Sequence, residues 1–340
     1  MARAGAPGEV GDAPFMTDTR HMIAETVERL FADHLDQTTR EAAEEGGWPA
    51  ALWDAIAANG LDRVLVPEEA GGFGGDWADA FVILRAAGKH AAPVPLAETI
   101  GASWLLTQAG AKLPEGPLSL ADDAARVPWA LHGVCVIASD KTRFVVCRSS
   151  AEEVTPAHNI GRDPRGAIRR DFEPADTHAG DVAAIGALVR SCQMAGAVTQ
   201  VLDLCVTYAG ERVQFGRPIG KFQAIQQQLA ILAGQAAAAD MAAQTACRAL
   251  DRTGDARFEI ASAKIRTGEA AGQACAIAHQ VFGAIGFTEE HHLHHLTRRL
   301  WSWRAEFGTE SVWAQRLGRM VVEQGADALW PGLTGLNASP

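Results

Sequence analysis

The sequence predicts a mainly α-helical protein with a small β domain in the middle of the chain. Apolar residues recur at helical spacing over about the first hundred residues and again beyond about residue 183, and β-rich runs are confined to the segment between. With 340 residues, of which 48% are hydrophobic, the chain is long enough for roughly two or three packed domains. The expected segments are a disordered tail (1–15), an N-terminal helical domain (16–113), a reduced β domain (114–181), a C-terminal four-helix bundle (182–332) and a second tail (333–340).

In the N-terminal region, the string WPAALWDAIAANGL shows where one helix begins and ends. Pro49 suits the first turn of a helix, and Asn59 followed by Gly60 is a typical C-terminal stop. A glycine-rich segment, GGFGG at 71–75, follows. It lacks the Gly-x-Gly-x-x-Gly spacing of a dinucleotide site and the lysine of a phosphate loop. We therefore expect a tight loop between helices, with glycines at positive φ.

The middle region contains a good candidate for a β-hairpin. The runs VCVIA (134–138) and RFVVCR (143–148) flank a short polar turn. The charged, irregular stretch that follows leaves room for roughly three or four strands in total, because strands average about 5–6 residues. That is a small sheet and too little for a full barrel.

From residue 183 onward, apolar positions with a period near 3.6 predict long helices. One begins near 183, a second begins near Phe222 and ends near Gly254, a third covers about 257–280, and a fourth begins near Thr309. Four long helices with short connectors favour a bundle.

Composition excludes several functional classes. A net charge of −11 argues against nucleic-acid binding as the main activity. The six cysteines are scattered without a Cys-x-x-Cys pair, as in reduced cytoplasmic proteins. No uninterrupted apolar run reaches the roughly 18 residues of a membrane span, and the first fifteen residues lack a signal-peptide core. We expect a cytoplasmic protein without nucleic-acid or membrane partners.

The most informative string is GERVQFGRPIGKFQAIQQQLA at 210–230. Arg212 could pair with a phosphate through two hydrogen bonds, Gln214 and Gln223 could bond polar edges, and Phe215 could lie against a ring. For any single residue, a solvated helix–turn–helix explains the position equally well.

The string as a whole resembles the signature of the acyl-CoA dehydrogenase family, Arg-x-Gln-Phe-Gly-x-Pro-Ile-x-x-Phe-Gln. A second string, QVFGAIGF at 280–287, resembles that family's Gln-x-x-Gly-Gly-x-Gly-Tyr, with Ala284 for the second glycine and Phe287 for the tyrosine. The strings LVPEEAGGFGG and APVPLAETIG also resemble the family's helical domain. The likeness covers nearly the whole chain and is weak only in the middle.

The resemblance implies a three-domain fold, FAD as cofactor, an acyl-CoA substrate and a 2-enoyl-CoA product, with electron-transfer flavoprotein as acceptor. In the family a glutamate removes the α-proton while hydride passes to the flavin. The cofactor-binding positions carried over to this chain are Arg212, Gln214, Phe215, Gln223, Gln280, Gly283 and Thr309.

The chain departs from the family at the catalytic base. The family's Glu-Gly-Thr string is Phe307-Gly308-Thr309 here, and the alternative base position on the preceding helix falls near Gly186, with no acid from 183 to 194. Glu306 is the fallback, although a neighbouring residue points about 100° away on a helix. Losing a general base costs typically about 10²–10⁴ in rate. The β-domain strings that face the flavin are also missing.

The family motifs that this chain lacks and those that it keeps belong to different halves of a shared site. The chain lacks the base and the β-domain strings of its own site, but keeps the segments that family members present to a neighbouring subunit's FAD. It therefore resembles the short, base-lacking subunit of heteromeric (α2β2) acyl-CoA dehydrogenases of bacterial steroid side-chain degradation, with a longer subunit supplying the glutamate. Two alternatives stay open: a self-sufficient homo-oligomer that uses Glu306 or another acid, and a non-catalytic scaffold.

The histidine- and tryptophan-rich stretch from 291 to 313 has a structural interpretation. No carboxylate or cysteine completes an evident metal-ligand set with the histidines, so we expect no metal. Arg298 and Arg299 are expected to cap the helix or pair locally. Three tryptophans surround the degenerate base string and are expected in the core or an interface, or as a plug of the vacated acyl-CoA pocket: Trp301, Trp303 and Trp313.

Overall fold

The computed structural model describes residues 15–169, 177–288 and 291–335. The expected tail at 1–15 lies outside the described residues except for Phe15. Helices account for most of the described chain and the β strands lie in its middle, which confirms the predicted fold class. The helices are α1 (Asp18–His34), α2 (Gln37–Glu44), α3 (Ala50–Ala58), α4 (Trp77–Lys89), α5 (Leu96–Gln108), α6 (Val182–Glu211), α7 (Gln223–Thr253), α8 (Arg257–Phe282), α9 (Leu293–Ala305), α10 (Glu310–Gln324) and α11 (Ala326–Gly335).

The N-terminal helices are fixed by side-chain caps. Asp76 and Asp79 form a reciprocal capping box at the start of α4. Asp251 of α7 also accepts hydrogen bonds from the backbone nitrogens of Trp77 and Ala78, at 2.8 and 3.1 Å. The same helix end is therefore tied to the C-terminal bundle. The glycine-rich loop has Gly71 and Gly74 at positive φ, as the sequence indicates.

The β domain contains more strands than the sequence predicts. The described residues of this domain form seven short strands: β1 (Leu118–Ala121), β2 (Val127–Pro128), β3 (Val134–Ala138), β4 (Arg143–Cys147), β5 (Val154–His158), β6 (Pro164–Ile168) and β7 (Thr177–Ala179). They make two sheets, ordered β1-β3-β4-β7 and β2-β6-β5. The hairpin of β3 and β4 is confirmed, with Cys135 opposite Cys147. The prediction of three or four strands is wrong because β5 and β6 carry Pro, Gly and charged residues that hide their pattern.

The bundle is built around α6, which runs through the core. At two positions only glycine allows its backbone to touch α4: a Cβ on Gly88 would lie 1.9 Å from the carbonyl oxygen of Gln193, and one on Gly196 would lie 1.9 Å from that of Arg85. By length and composition α6 could cross a membrane, but 89% of its apolar window is buried inside the protein, as in a core helix.

The bundle helices α6, α7, α8 and α10 match the four predicted. Gly254, at a φ of 69°, ends α7 as expected. The last helix, α11, extends to Gly335, so the tail expected from 333 begins inside a helix, and residues 336–340 lie outside the described part. The other domain boundaries stay predictions.

Candidate functional site

The signature string forms a small exposed hairpin between α6 and α7. Strands β8 (Val213–Gln214) and β9 (Arg217–Pro218) pair antiparallel, with Phe215 and Gly216 as the two-residue loop. Both loop residues have positive φ, 50° and 79°, which is typical of a tight hairpin turn. Such a backbone is strained for a bulky residue. Phe215 is also 92% exposed to solvent.

The second string lies at the same end of the bundle. Tyr208, one turn before the end of α6, stacks on Phe282 at 4.3 Å and donates a hydrogen bond to its carbonyl oxygen at 3.4 Å. Phe282 is the last residue of α8 and is followed by Gly283. The φ and ψ of Gly283, 63° and −141°, are accessible only to glycine. The structure thus brings Gln280 and Gly283 near the hairpin.

These candidate residues share exposure to solvent. Arg212 makes no ion pair within the described part of the chain. Phe222 directly precedes α7, and the Phe215 ring lies edge-on to it at 6.1 Å. Together the candidate residues offer a guanidinium, three amides, an aromatic ring and a glycine backbone without a side chain. Such groups bind phosphates and flat rings. The exposed members are Arg212, Gln214, Phe215, Gln223, Gln280 and Gly283; they are called the exposed cluster below.

Thr309 is not part of the exposed cluster. It precedes α10, and the side chain of its neighbour Glu310 lies against Gly268 of α8. Gly268 is twelve positions before Gln280 in the same helix, about 18 Å along its axis. Six of the seven sequence-predicted cofactor positions are therefore brought to one end of the bundle, and the seventh is elsewhere.

The two positions considered for a catalytic base meet each other in the core. Phe307 is 4% exposed, and a Cβ on Gly186 would lie 2.2 Å from its ring. Trp313 Nε1 donates to the Phe307 carbonyl oxygen at 2.8 Å, which helps to hold Phe307 at a φ of 55°. Buried Lys264 donates to the last carbonyls of α9, just before this segment. Neither base position offers an acid.

The three tryptophans divide between core and surface. Trp303 and Trp313 are 2% and 4% exposed, as expected of core residues, whereas Trp301 is 45% exposed. Trp313 is the tryptophan that hydrogen-bonds to Phe307, and it thereby supports the ring that fills the space above Gly186.

Glu306, the fallback base, is held by four hydrogen-bond donors. Its carboxylate accepts from Arg165 Nη2 at 2.5 Å, Arg190 Nε at 2.8 Å, Asn159 Nδ2 at 3.1 Å and Ser302 Oγ at 3.3 Å. Burial alone would raise the pKa of Glu306, but the two guanidinium groups outweigh it and hold that pKa well below its usual range. A carboxylate in this environment is a poor proton acceptor.

Arg190 extends this arrangement across the domains. Its Nη2 donates to Glu98 of α5 at 2.5 Å and its Nη1 to Gln193 at 2.6 Å, and the residue is 1% exposed. Together with Glu306 and Arg165 it links α5, α6, the segment after α9 and β6. The sequence offered a signal that was missed: an arginine within the apolar run of α6 requires a buried partner.

The histidines of α9 do meet a carboxylate, contrary to the expectation from local sequence. One ligand atom each of Glu44, His294 and His295 lies within 4.8 Å of the others. Glu44 comes from α2, 251 residues before His295, and local sequence could not reveal it. Arg298 Nη2 also contacts Glu44, at 3.0 Å. Burial raises the pKa of Glu44, but His295 and the nearby arginines lower it to about 2. Its cationic partners compete with any metal ion.

The expected local pairing of Arg298 and Arg299 is wrong. Arg298 pairs with Glu44, and Arg299 Nη2 pairs with Asp163 of the β domain at 3.0 Å. Both arginines serve long-range contacts because α9 lies between α2 and the β domain.

Family comparisons agree with this architecture. The family model described as Acyl-CoA dehydrogenase, N-terminal domain, matches residues 17–112, and the model described as Acyl-CoA dehydrogenase, C-terminal domain, matches residues 182–322. The chain belongs to the acyl-CoA dehydrogenase family. It is therefore an FAD-dependent oxidoreductase that acts on CH–CH bonds.

Relatives of this acyl-CoA dehydrogenase include the acyl-CoA dehydrogenase IpdE2 of Mycobacterium tuberculosis, 31% identical over 291 residues, or 82% of this chain and 89% of the relative. Among solved structures, the "Tcur3481-Tcur3483 steroid ACAD G363A variant" matches with a TM-score of 0.80 and 21% identity, over 91% of this chain and 99% of that one. The ChsE4–ChsE5 complex from Mycobacterium tuberculosis matches with a TM-score of 0.79 and 18% identity, over the same shares.

Proposed function

We propose that this chain is the base-lacking subunit of a heteromeric α2β2 acyl-CoA dehydrogenase. The complex forms a 2-enoyl-CoA from a bulky steroid side-chain acyl-CoA and passes electrons to electron-transfer flavoprotein. The chain lends the exposed cluster to an FAD held mainly by a longer partner subunit, and that partner supplies the catalytic glutamate. One observation carries the proposal: the chain's own base positions are filled by Phe307 packed on Gly186, while its cofactor-facing residues lie open on the surface.

The filled base position supports a partner that performs the proton transfer. Phe307 has no group that accepts a proton, and the ionic partners of Glu306 keep its basicity low. A chain that lacks a base at both positions needs a base from another subunit to reach the turnover rates of its family.

The exposed cluster supports binding across an interface. When bound, FAD would supply the hydride acceptor for the β-carbon of the substrate. Arg212 would hold a phosphate of the cofactor, Gln214 and Gln280 would bond its polar edges, and Phe215 would lie against a ring. The glycine conformation at Gly283 lets backbone approach closely. These groups fit FAD, and their exposure leaves room for a second chain to cover it.

The steroid assignment draws on similar proteins of known structure. The Tcur3481–Tcur3483 protein is named as a steroid acyl-CoA dehydrogenase and carries two chain names, and the ChsE4–ChsE5 protein is a complex of two chains. These descriptions belong to the other proteins, and they favour a heteromer and a bulky substrate for this chain.

Two other functions are less well supported. A homo-oligomer that uses Glu306 as base must first break its ion pairs with Arg165 and Arg190. A non-catalytic scaffold has no use for an exposed, strained Phe215 beside an arginine without an ionic partner among the described residues. Thr309 stays a proposed contact to a flavin in the chain's own cleft, which this proposal leaves without a cofactor.

Flavin content tests the proposal. The full chain is purified alone and after co-expression with a longer acyl-CoA dehydrogenase subunit, and the flavin absorbance is compared. Little flavin alone and about one FAD per pair of unlike chains would support the proposal. One FAD per chain when purified alone would reject it and return attention to acids within this chain.

An arginine variant locates the contact. Arg212→Gln in the co-expressed complex should weaken FAD binding by about 10–100-fold, the range expected for a charge-assisted hydrogen bond. Arg257→Gln is the matched control, because Arg257 is also exposed but lies at the opposite end of α8. Equal FAD affinity in the two variants would contradict the role of Arg212.

A further inference from the structure

A cleft lined by basic side chains lies between α2, α4, α6 and α9, and no residue of the exposed cluster lines it. Its volume is about 170 Å³. In the part of the chain that the structure describes, no carboxylate lines it, although the protein as a whole carries a net charge of −11. The basic residues in its wall are Arg40, Lys89, His90, His292 and His295.

Arg40 holds a positive charge that no carboxylate neutralises directly. Its Nη1 donates to the carbonyl oxygens of His90 at 2.5 Å and Ala91 at 3.4 Å, and it forms no ion pair with any residue that the structure describes. Burial and the nearby guanidinium of Arg299 lower the pKa of Arg40 to about 10. The wall of the cleft is therefore short of negative charge at this point.

The other basic groups are partly compensated from outside the cleft. Glu28 accepts from Lys89 Nζ at 2.9 Å and lies 2.7 Å from His90 Nε2. Burial lowers the pKa of His90, so Glu28 mainly balances the charge of Lys89. The guanidinium of Arg40 is then the positive group that an anion inside the cleft would meet.

His295 adds a buried ring nitrogen without a partner. The residue is 2% exposed; its Nδ1 lies 2.8 Å from the Glu44 carboxylate, and its Nε2 has no hydrogen-bond partner among described atoms. Because a carboxylate accepts only, Nδ1 carries the proton. Burial lowers the pKa of His295, so the ring is neutral at pH 7 and Nε2 is an unused acceptor.

We propose that this cleft binds hydrogen phosphate. The guanidinium of Arg40 and the ammonium of Lys89 would donate hydrogen bonds to its oxygens. The protonated oxygen of the ion would donate a hydrogen bond to His295 Nε2. Sulfate has the same shape but no proton to donate, so the site should discriminate between the two ions. This site is independent of the proposed function and makes no use of FAD.

Titration calorimetry of the full chain in chloride buffer tests the site with inorganic phosphate, sulfate and adenosine monophosphate as probes. We expect saturable one-to-one binding of phosphate, at least about tenfold tighter than that of sulfate. No saturable phosphate binding up to about 10 mM, or equal affinity for sulfate, would overturn the proposal. Binding of the nucleotide but not of inorganic phosphate would also overturn it, by showing a nucleotide site.

Variants separate the two recognition elements. Arg40→Gln should weaken phosphate and sulfate binding alike by about tenfold or more. His295→Asn can still donate to Glu44 but lacks Nε2, so it should lose the preference for phosphate and leave sulfate binding unchanged. Unchanged phosphate binding in either variant would refute the assigned contacts.

Folding controls accompany these variants. Thermal unfolding reports whether Arg40→Gln folds. If it does not, Lys89→Gln replaces it, because Lys89 is half-buried at the end of α4, and the same loss of affinity is expected. Arg257→Gln, outside the cleft, should bind phosphate as the wild type does.

Discussion

Replacing Glu306 by glutamine separates a structural role of this carboxylate from a catalytic one. Glutamine has the same shape but no charge, so Arg165 and Arg190 each lose an ionic partner; the side chains of both arginines are at most 6% exposed. Arg190 keeps Glu98, whereas Arg165 has no other ion pair within the described residues. Removing one partner of a buried ion pair costs about 3–5 kcal/mol. Because Arg190 stays paired, we expect about 3 kcal/mol of unfolding free energy to be lost.

Thermal unfolding of the full chain measures this loss. At about 2 °C per kcal/mol for a chain of this size, Tm should fall by about 6 °C. Glu310→Gln is the matched control, because Glu310 pairs with Arg304 Nε at 2.7 Å but both side chains are at least 20% exposed. Because Arg304 is reached by solvent whereas Arg165 and Arg190 are not, this pair should contribute less than about 1 kcal/mol, and Tm should change by at most about 2 °C.

The same variant, assayed in the proposed complex with a longer subunit, decides the catalytic question. If Glu306 is structural, turnover at a temperature where the variant is folded should stay close to that of the wild type. A loss of about 10²–10⁴ in turnover with an unchanged Tm would refute the reasoning and identify Glu306 as the base. A Tm shift no larger than that of the control would show that the buried ion pairs do not stabilise the fold.

Three further outcomes follow from the structure. Gly186→Ala forces a methyl group into the Phe307 ring and should lower the free energy of unfolding by about 1–3 kcal/mol, measured by thermal unfolding. The control Gly234→Ala has open space around it and should stabilise α7 by about 0.5–1 kcal/mol. Equal effects of the two substitutions would contradict the close packing of Phe307 on Gly186. Phe215→Gly relieves a positive φ and should raise the stability of the lone chain by about 1 kcal/mol while weakening FAD binding in the complex; a loss of stability would refute the strain. Glu44, whose pKa is about 2 in the folded chain and about 4.3 when unfolded, contributes stability above pH 4.3 that is lost as the pH falls toward 2. Glu44→Gln should flatten this part of the acid-unfolding profile by about 3 kcal/mol, and an unchanged profile would contradict the ion pairs.

Local patterns predicted some features well and others poorly. The hairpin of β3 and β4 and the end of α7 at Gly254 follow from apolar runs and a single glycine, and both are confirmed. The strands β5 and β6 were missed because four of the five β5 residues are exposed and the sequence of β6 contains both Pro and Gly.

Contacts between distant residues could not be predicted at all. The pairing of Glu44 with His295 joins residues 251 positions apart, and the contact between Phe307 and Gly186 depends on how α6 passes beneath the segment after α9. The sequence showed that both base positions lack an acid. Only the structure shows that they are the same place.

Helix α6 separates the filled base position from the exposed cluster. Gly186, beneath Phe307, is buried near the start of the helix, and Arg212 of the exposed cluster directly follows its end. The 26 positions between them correspond to about 39 Å along the helix axis. A single flavin nucleotide in one pocket does not extend over that distance. If the groups around Arg212 bind FAD as proposed, the reactive ring of that FAD is not beside Gly186 of the same chain, and the proposed interface between subunits would account for this separation.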